Sequence, residues 1–265
     1  MDFAVRLSLL YAGIFTAIGV QTPFLPLWLT AKGLDAPMIG ALLATGTAAR
    51  LIAVPLGTRA ADGFSSPGIP IMVAAFVAAL SVTALAFAGH VATMFALFAA
   101  LTGAWAVVLP VAESHALRIL TLRGRHYGPV RLWGSVSFIA ANLGAGWLLT
   151  MMAPGELIWT IVAGYWLGTA AAVVVALGDA RESHPVQPPP SGPNRIDRRV
   201  VLVLAASSLV QASHSQFYGF GSLQWTAAGF SSLQIGMLWA VSVAVEIALF
   251  ASAARLPAPL RVPQT

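Results

Sequence analysis

Two stretches, TAKGLDAPMIGALLA (30–44) and TAAGFSSLQIGMLWA (226–240), stand 196 residues apart and match at seven of fifteen positions. Thr30, Ala31, Gly33, Ile39, Gly40, Leu42 and Ala44 recur as Thr226, Ala227, Gly229, Ile235, Gly236, Leu238 and Ala240. Phe24 and Phe220 extend the match, and the same register sets Arg50 opposite Glu246. Each stretch joins the end of one apolar run to the start of the next. A hydrocarbon core of about 30 Å is crossed by about 20 apolar residues as helix. Eight runs of that kind occupy 6–30, 38–57, 69–89, 92–113, 130–152, 156–177, 199–221 and 233–254. The repeat thus pairs the first two runs with the last two. Because the runs are continuous and do not alternate every second residue, a membrane β-barrel is excluded.

The composition agrees. Apolar residues make up 58% of the 265 residues and charged residues 9%, with a mean hydropathy of 0.83. A soluble protein needs far more charge to cover its surface. A cytosolic enzyme, a disordered regulator and a nucleic-acid-binding domain are therefore excluded. The net charge of +5 is carried by arginines between apolar runs, a topology pattern and not a phosphate-binding face. Cysteine is absent, so there is no disulfide framework and no thiolate metal site.

With the N-terminus inside, the cytoplasmic segments hold Arg6, Arg59, Arg118, Arg123, Arg125, Arg131, Arg181, Arg195, Arg198, Arg199, Arg255 and Arg261, and the external loops hold Lys32 alone. That bias orients the chain with both termini cytoplasmic. The expected location is the cell membrane, multi-pass, in a bacterial inner membrane. Residues 178–198, GDARESHPVQPPPSGPNRIDR, form a polar, proline-rich cytoplasmic linker that cannot pack a core. It divides the chain into a six-helix unit (1–177) and two helices of a second unit (199–254), followed by a tail (255–265). The other loops are short, which predicts that consecutive helices are antiparallel neighbours. The second copy of the repeat begins after an even number of spans, so both copies share one membrane orientation. Such a parallel repeat relates the two halves of major facilitator transporters. The predicted fold class is an all-α integral membrane bundle of that type, with eight of an expected twelve helices.

The segments YGPVRLWGSVSF (127–138) and FYGFGSLQWTAAGFSS (217–232) carry a more specific likeness. To about Ala254 the chain resembles the phenylpropionate permease group of the major facilitator superfamily, which is related to proton symporters of the lactose permease type. The superfamily signature after the second helix is degenerate here. GTRAADG (57–63) keeps Arg59 and Asp62 without the trailing basic residues, so both are assigned a structural charge role. The resemblance implies proton-coupled uptake, with a small aromatic carboxylic acid as the namesake substrate. A sugar or a nucleoside is the alternative substrate.

Ionisable groups inside a span are expensive and are read as functional candidates. Glu246 lies about 13 residues into the eighth run, where desolvation favours a protonated carboxyl. This suits proton coupling, and the family resembled places a carboxylate there too. The alternative is a structural pair with Arg50. Glu113 closes the fourth run and Arg131 opens the fifth. Arg131, Ser135, Phe138 and Asn142 follow at i, i+4, i+7 and i+11, one polar-aromatic face. An arginine there can clamp a carboxylate with two parallel hydrogen bonds, or both charges are interfacial. The lactose permease type uses a similar carboxylate and arginine at its substrate site, which implies the same for Glu113 and Arg131. In the seventh run Gln211, His214 and Tyr218 lie on a polar stripe that must meet a helix or a water-filled cavity. His214 is the proton-handling candidate of that stripe, and interhelical hydrogen bonding is the alternative. Tyr11 and Phe15 share a face and can stack on an aromatic ring, with ordinary helix packing as the alternative.

No H-E-x-x-H, G-x-S-x-G or P-loop spacing occurs. No enzyme activity, cofactor or metal is expected. The expected partners are a small-molecule substrate, protons and the lipid bilayer, with no nucleic acid. A separately encoded C-terminal segment is a further expected partner, since a repeat of six helices has only two in its second copy. A non-transporting membrane fragment or interaction module is the alternative function.

Overall fold

The computed structural model describes residues 2–179 and 197–252. Nine α-helices and one short 3-10 turn make up the described residues: α1 (Phe3–Ala31), α2 (Ala36–Asp62), α3 (Gly68–Ala86), α4 (Val91–Leu122), α5 (Gly128–Leu148), α6 (Leu157–Asp179), α7 (Arg198–Ser213), α8 (Ser215–Ala227) and α9 (Ser232–Ser252). Each of the eight apolar runs is helical. The seventh is divided at His214 into α7 and α8. Most of the predicted linker and the whole of the 255–265 tail lie outside the described residues.

Among the described residues six helical segments are long and apolar enough to cross a membrane: α1 to α4, Pro154–Asp179 and Val200–Ala227. α5 carries Arg131, Ser135, Ser137 and Asn142 and is more polar. It is sheltered instead, with α1 on one side and α9 on the other. In α9 the apolar stretch Ser232–Ala248 is shorter.

The repeated stretches build the same turn twice. Gly33 and Gly229 take φ values of 87° and 90°, a left-handed conformation that only glycine adopts without strain. Around them the backbone hydrogen bonds recur at the same offset. The Gly33 amide donates to Thr30 O at 2.9 Å and the Leu34 amide to Leu29 O at 3.1 Å. The Gly229 amide donates to Thr226 O and the Phe230 amide to Trp225 O, both at 3.0 Å. This is the glycine-terminated helix end that satisfies orphan carbonyls. The next helix then starts on a polar cap. The Asp35 carboxylate accepts from the Met38 amide at 2.9 Å. Ser231 and Gln234 exchange bonds at 3.3 and 2.8 Å, a reciprocal capping box.

Short loops make α3 and α4 close neighbours, as loop length predicts, but not α1 and α2, α4 and α5 or α5 and α6. The principal packings are α1 on α5 and α6, α3 on α4 and α6, α2 on α4, and α5 on α9. Small residues decide this, because they let backbones approach closely. A Cβ added to Gly13 would lie 2.8 Å from Gly168 Cα, and one on Gly68 2.6 Å from Ala176 Cα. One on Gly19 would lie 2.9 Å from the Phe138 carbonyl oxygen. α1 is thereby the central helix. Leu10, Tyr11, Ile14, Ala17, Phe24 and Trp28 are fully enclosed, and the Trp28 indole donates to Gly155 O at 3.2 Å. Pro23 and Pro26 lie inside α1 without ending it.

Arg6, read from sequence as a cytoplasmic topology charge, is buried. It lies against α6, where a Cβ on Gly178 would collide with its guanidinium. Beside it His115 of α4 and Asp179 of α6 form a buried pair, Nε2 to Oδ2 2.9 Å. This charge cluster ties α1, α4 and α6 together at one end of the bundle.

Candidate substrate site

Tyr11 and Phe15 stand one turn apart on α1. Tyr127 and Arg131 stand one turn apart across the start of α5. Both pairs follow the i, i+4 spacing that stacks side chains on one helix face. They meet at Glu113, which lies nine residues inside α4 and not at its end, because α4 continues to Leu122. Glu113 and Arg131 therefore come together within the bundle by facing α1, without α4 and α5 packing along their length.

Arg131 Nε is 3.9 Å from Glu113 Oε1. That is an ion pair but longer than a hydrogen bond. Both side chains are about a third exposed, 31% and 40%, so an approaching solute can reach them. The guanidinium carbon sits 4.0 Å above the Phe15 ring centre and 5.6 Å from that of Tyr11, a cation–π arrangement. The Tyr127 hydroxyl donates to Glu113 Oε1 at 3.4 Å, and the Tyr11 and Tyr127 hydroxyls are 3.2 Å apart. Gly134 makes room for this. A Cβ there would stand 2.7 Å from both Arg131 Nη1 and the Phe15 ring. The result is a planar cation with aromatic faces beneath it and one loosely held carboxylate beside it. Such a group can present two parallel N–H donors to a carboxylate or to sugar hydroxyls.

The model of the MFS_1-like family matches residues 4–260. The chain belongs to that family. It is 28% identical over 264 residues to a probable 3-phenylpropionic acid transporter of Escherichia coli K12, covering 94% of this chain and 66% of that protein. It is also 32% identical over 170 residues to a maltose permease of Geobacillus stearothermophilus, covering 64% of this chain and 43% of the permease. The fold matches the crystal structure of the nucleoside transporter NupG with a TM-score of 0.74 at 16% identity, over 95% of this chain and 67% of NupG. The chain thus spans about two thirds of the first relative's length. It is a multi-pass membrane protein of the major facilitator superfamily, a superfamily of transporters and not of enzymes.

In this family member the other predicted residues lie apart from the Glu113–Arg131 pair. Ser135 and Phe138 are half-buried further along α5. Asn142 is fully buried at the α5–α9 crossing, where its Nδ2 donates to Phe138 O at 2.8 Å and its Oδ1 makes no hydrogen bond among the described residues. A Cβ on Gly236 of α9 would lie 2.5 Å from the Asn142 carbonyl oxygen. Gln211, His214 and Tyr218 are exposed. At the α7–α8 break the His214 ring Nδ1 lies 2.8 Å from Val210 O, while the His214 amide turns to Gln211 O at 3.2 Å. Tyr218 stacks on Trp239 of α9 at 5.6 Å, and Trp239 donates to Ser222 Oγ at 3.0 Å.

Glu246, expected to be buried, is exposed on α9, and Arg50 is exposed on α2. Among the described residues they form no ion pair with each other. Arg59 and Asp62 are exposed at the end of α2. Tyr127 is a member of the Glu113–Arg131 cluster that sequence reasoning missed. Its one signal was the position four residues before Arg131.

Proposed function

We propose that the chain is the membrane-embedded body of a secondary transporter that takes up a small aromatic carboxylate together with protons. The single observation that supports this most is the Arg131 guanidinium, 4.0 Å over the Phe15 ring centre and 5.6 Å from that of Tyr11, with Glu113 beside it. A substrate carboxylate binds the guanidinium fork and its ring lies against the α1 aromatics. Glu113 and Tyr127 hold the arginine in place before substrate arrives. The 3-phenylpropionic acid named for the E. coli relative has both parts, a carboxylate and a ring. Glu246 carries the coupled proton, with Ser135, Phe138, Asn142, Gln211, His214 and Tyr218 along the transport route. The same arginine suits the hydroxyls of a sugar or nucleoside, the substrate classes named for the other relatives.

A second reading is favoured by α7. Its described side chains are exposed throughout, and among the described residues its main packing is a small contact with α8. Under this reading the chain is a membrane unit that transports only when a further helical segment covers α7 and α9. Reconstitution into vesicles with an inward proton gradient separates the two. Saturable, gradient-driven accumulation of 3-phenylpropionate is expected for a transporter. Binding without accumulation supports the second reading. No binding at all contradicts the carboxylate site. In a transporting form Glu246→Gln is expected to keep exchange of substrate and lose accumulation, because the amide cannot ionise. Normal accumulation by that variant removes Glu246 from proton coupling.

A further inference from the structure

The inner ends of α1, α4 and α5 border an open surface depression of about 370 Å³ whose lining shares no residue with the Arg131 site. Its apolar wall is Ala4, Leu120, Pro129 and Val130, and its polar rim is Arg125 and His126. Gly124, with φ 62°, turns the chain back so that Arg125 reaches over the opening. Leu120 and Val130 are buried, whereas Arg125 and His126 are exposed. An apolar floor under a cationic rim fits an amphiphile with an anionic head. A soluble anion has no use for the floor, and an uncharged acyl chain has none for the rim. The arginine bias places this end of the bundle at the cytoplasmic surface, the leaflet face at which basic pockets between helices hold lipid headgroups. The amino end of α5 opens onto the same depression and adds a partial positive charge.

We propose that this depression binds the headgroup of an anionic phospholipid, with the phosphate on Arg125 and His126 and the upper acyl chain against Ala4 and Pro129, the accessible apolar residues of its lining. A contact to Asp2 shows how it is held ready. The Arg125 guanidinium is bonded to the Asp2 carboxylate, and the arginine keeps that carboxyl below its ordinary range. Asp2 is therefore ionised at neutral pH and occupies the arginine that a phosphate needs. Lipid binding exchanges one anion for another at Arg125 and releases the first residues of α1.

The test uses the chain purified in neutral detergent, with bound lipid counted by native mass spectrometry. Phosphatidylglycerol, phosphatidylcholine of the same chain length, and glycerol 3-phosphate are the three probes. One saturable phosphatidylglycerol per chain is expected, bound several-fold more tightly than phosphatidylcholine. Glycerol 3-phosphate is expected to bind far more weakly, since it lacks the acyl chain. Arg125→Gln should weaken phosphatidylglycerol about fivefold, the effect of one basic residue near an anionic surface. Asp2→Asn should strengthen it, a gain that a misfolded protein does not produce. Arg118→Gln, an equal charge change on α4 away from the depression, should leave it unaltered. Equal losses from Arg118→Gln and Arg125→Gln would overturn the site in favour of general surface attraction. So would unchanged binding by Asp2→Asn, or glycerol 3-phosphate binding as tightly as the lipid.

Discussion

At the scale of single residues, Gly134 is the position on which the geometry of Arg131 depends. A methyl group there meets Arg131 Nη1 and the Phe15 ring at 2.7 Å, and the helix backbone cannot retreat. Gly134→Ala is expected to swing the guanidinium away from Phe15 and weaken carboxylate binding roughly tenfold, the scale of one charge-assisted hydrogen bond. Gly144→Ala is the control, because nothing lies within 4 Å of its added Cβ. Equilibrium binding of the two purified variants checks this, and equal affinities would remove Gly134 from the site. The buried His115–Asp179 pair makes a stability prediction. Its side chains are 0% and 1% exposed, so removing the carboxylate takes one member out of a buried polar pair. Asp179→Ala is expected to cost about 3–5 kcal/mol, seen as a large fall in the thermal midpoint in detergent. Neither residue was singled out in the sequence. A histidine within ESHALR and an aspartate at the end of an apolar run look like interface charges until α4 and α6 are placed side by side.

At the scale of elements, the repeat makes a paired prediction. Gly33 and Gly229 both have positive φ, and neither has an atom within 4 Å of an added Cβ. An alanine at either position therefore pays only for the left-handed backbone, about 1–2 kcal/mol. Both substitutions should lower the thermal midpoint to a similar degree. A loss at only one of them would show that the two turns are not equivalent. The turns, the spans and the α-only class were readable because apolar length and glycine position are local signals. The break at His214 was not, because the apolar run continues through it. What changes there is the hydrogen-bond pattern, with the His214 side chain meeting Val210 O in place of a backbone amide. The reach of α4 to Leu122 was also hidden. Hydropathy marks where a helix leaves the membrane, not where it ends. Tyr127 was overlooked for a related reason: it precedes Pro129 and reads as loop, although it lies one helical turn from Arg131.

At the scale of the whole molecule, the arginine asymmetry and the parallel repeat predict an orientation. Reporter fusions should place residues 33 and 228 outside and residues 190 and 260 in the cytoplasm. An external residue 190 would break the match between the two copies. The Arg131 site lies between α1, α4 and α5, so its chemistry can be tested on these helices directly. The most direct measurement is equilibrium binding to the purified chain of the aromatic carboxylate proposed above and of the alcohol with the same ring and chain. The carboxylate is expected to bind saturably and the alcohol at least tenfold more weakly, since it cannot accept a charge-assisted pair of bonds. Arg131→Gln should reduce carboxylate binding roughly ten- to a hundredfold and leave the alcohol unchanged. Equal binding of acid and alcohol by the native chain, or full carboxylate affinity in Arg131→Gln, would contradict the assignment of this arginine as the substrate anchor.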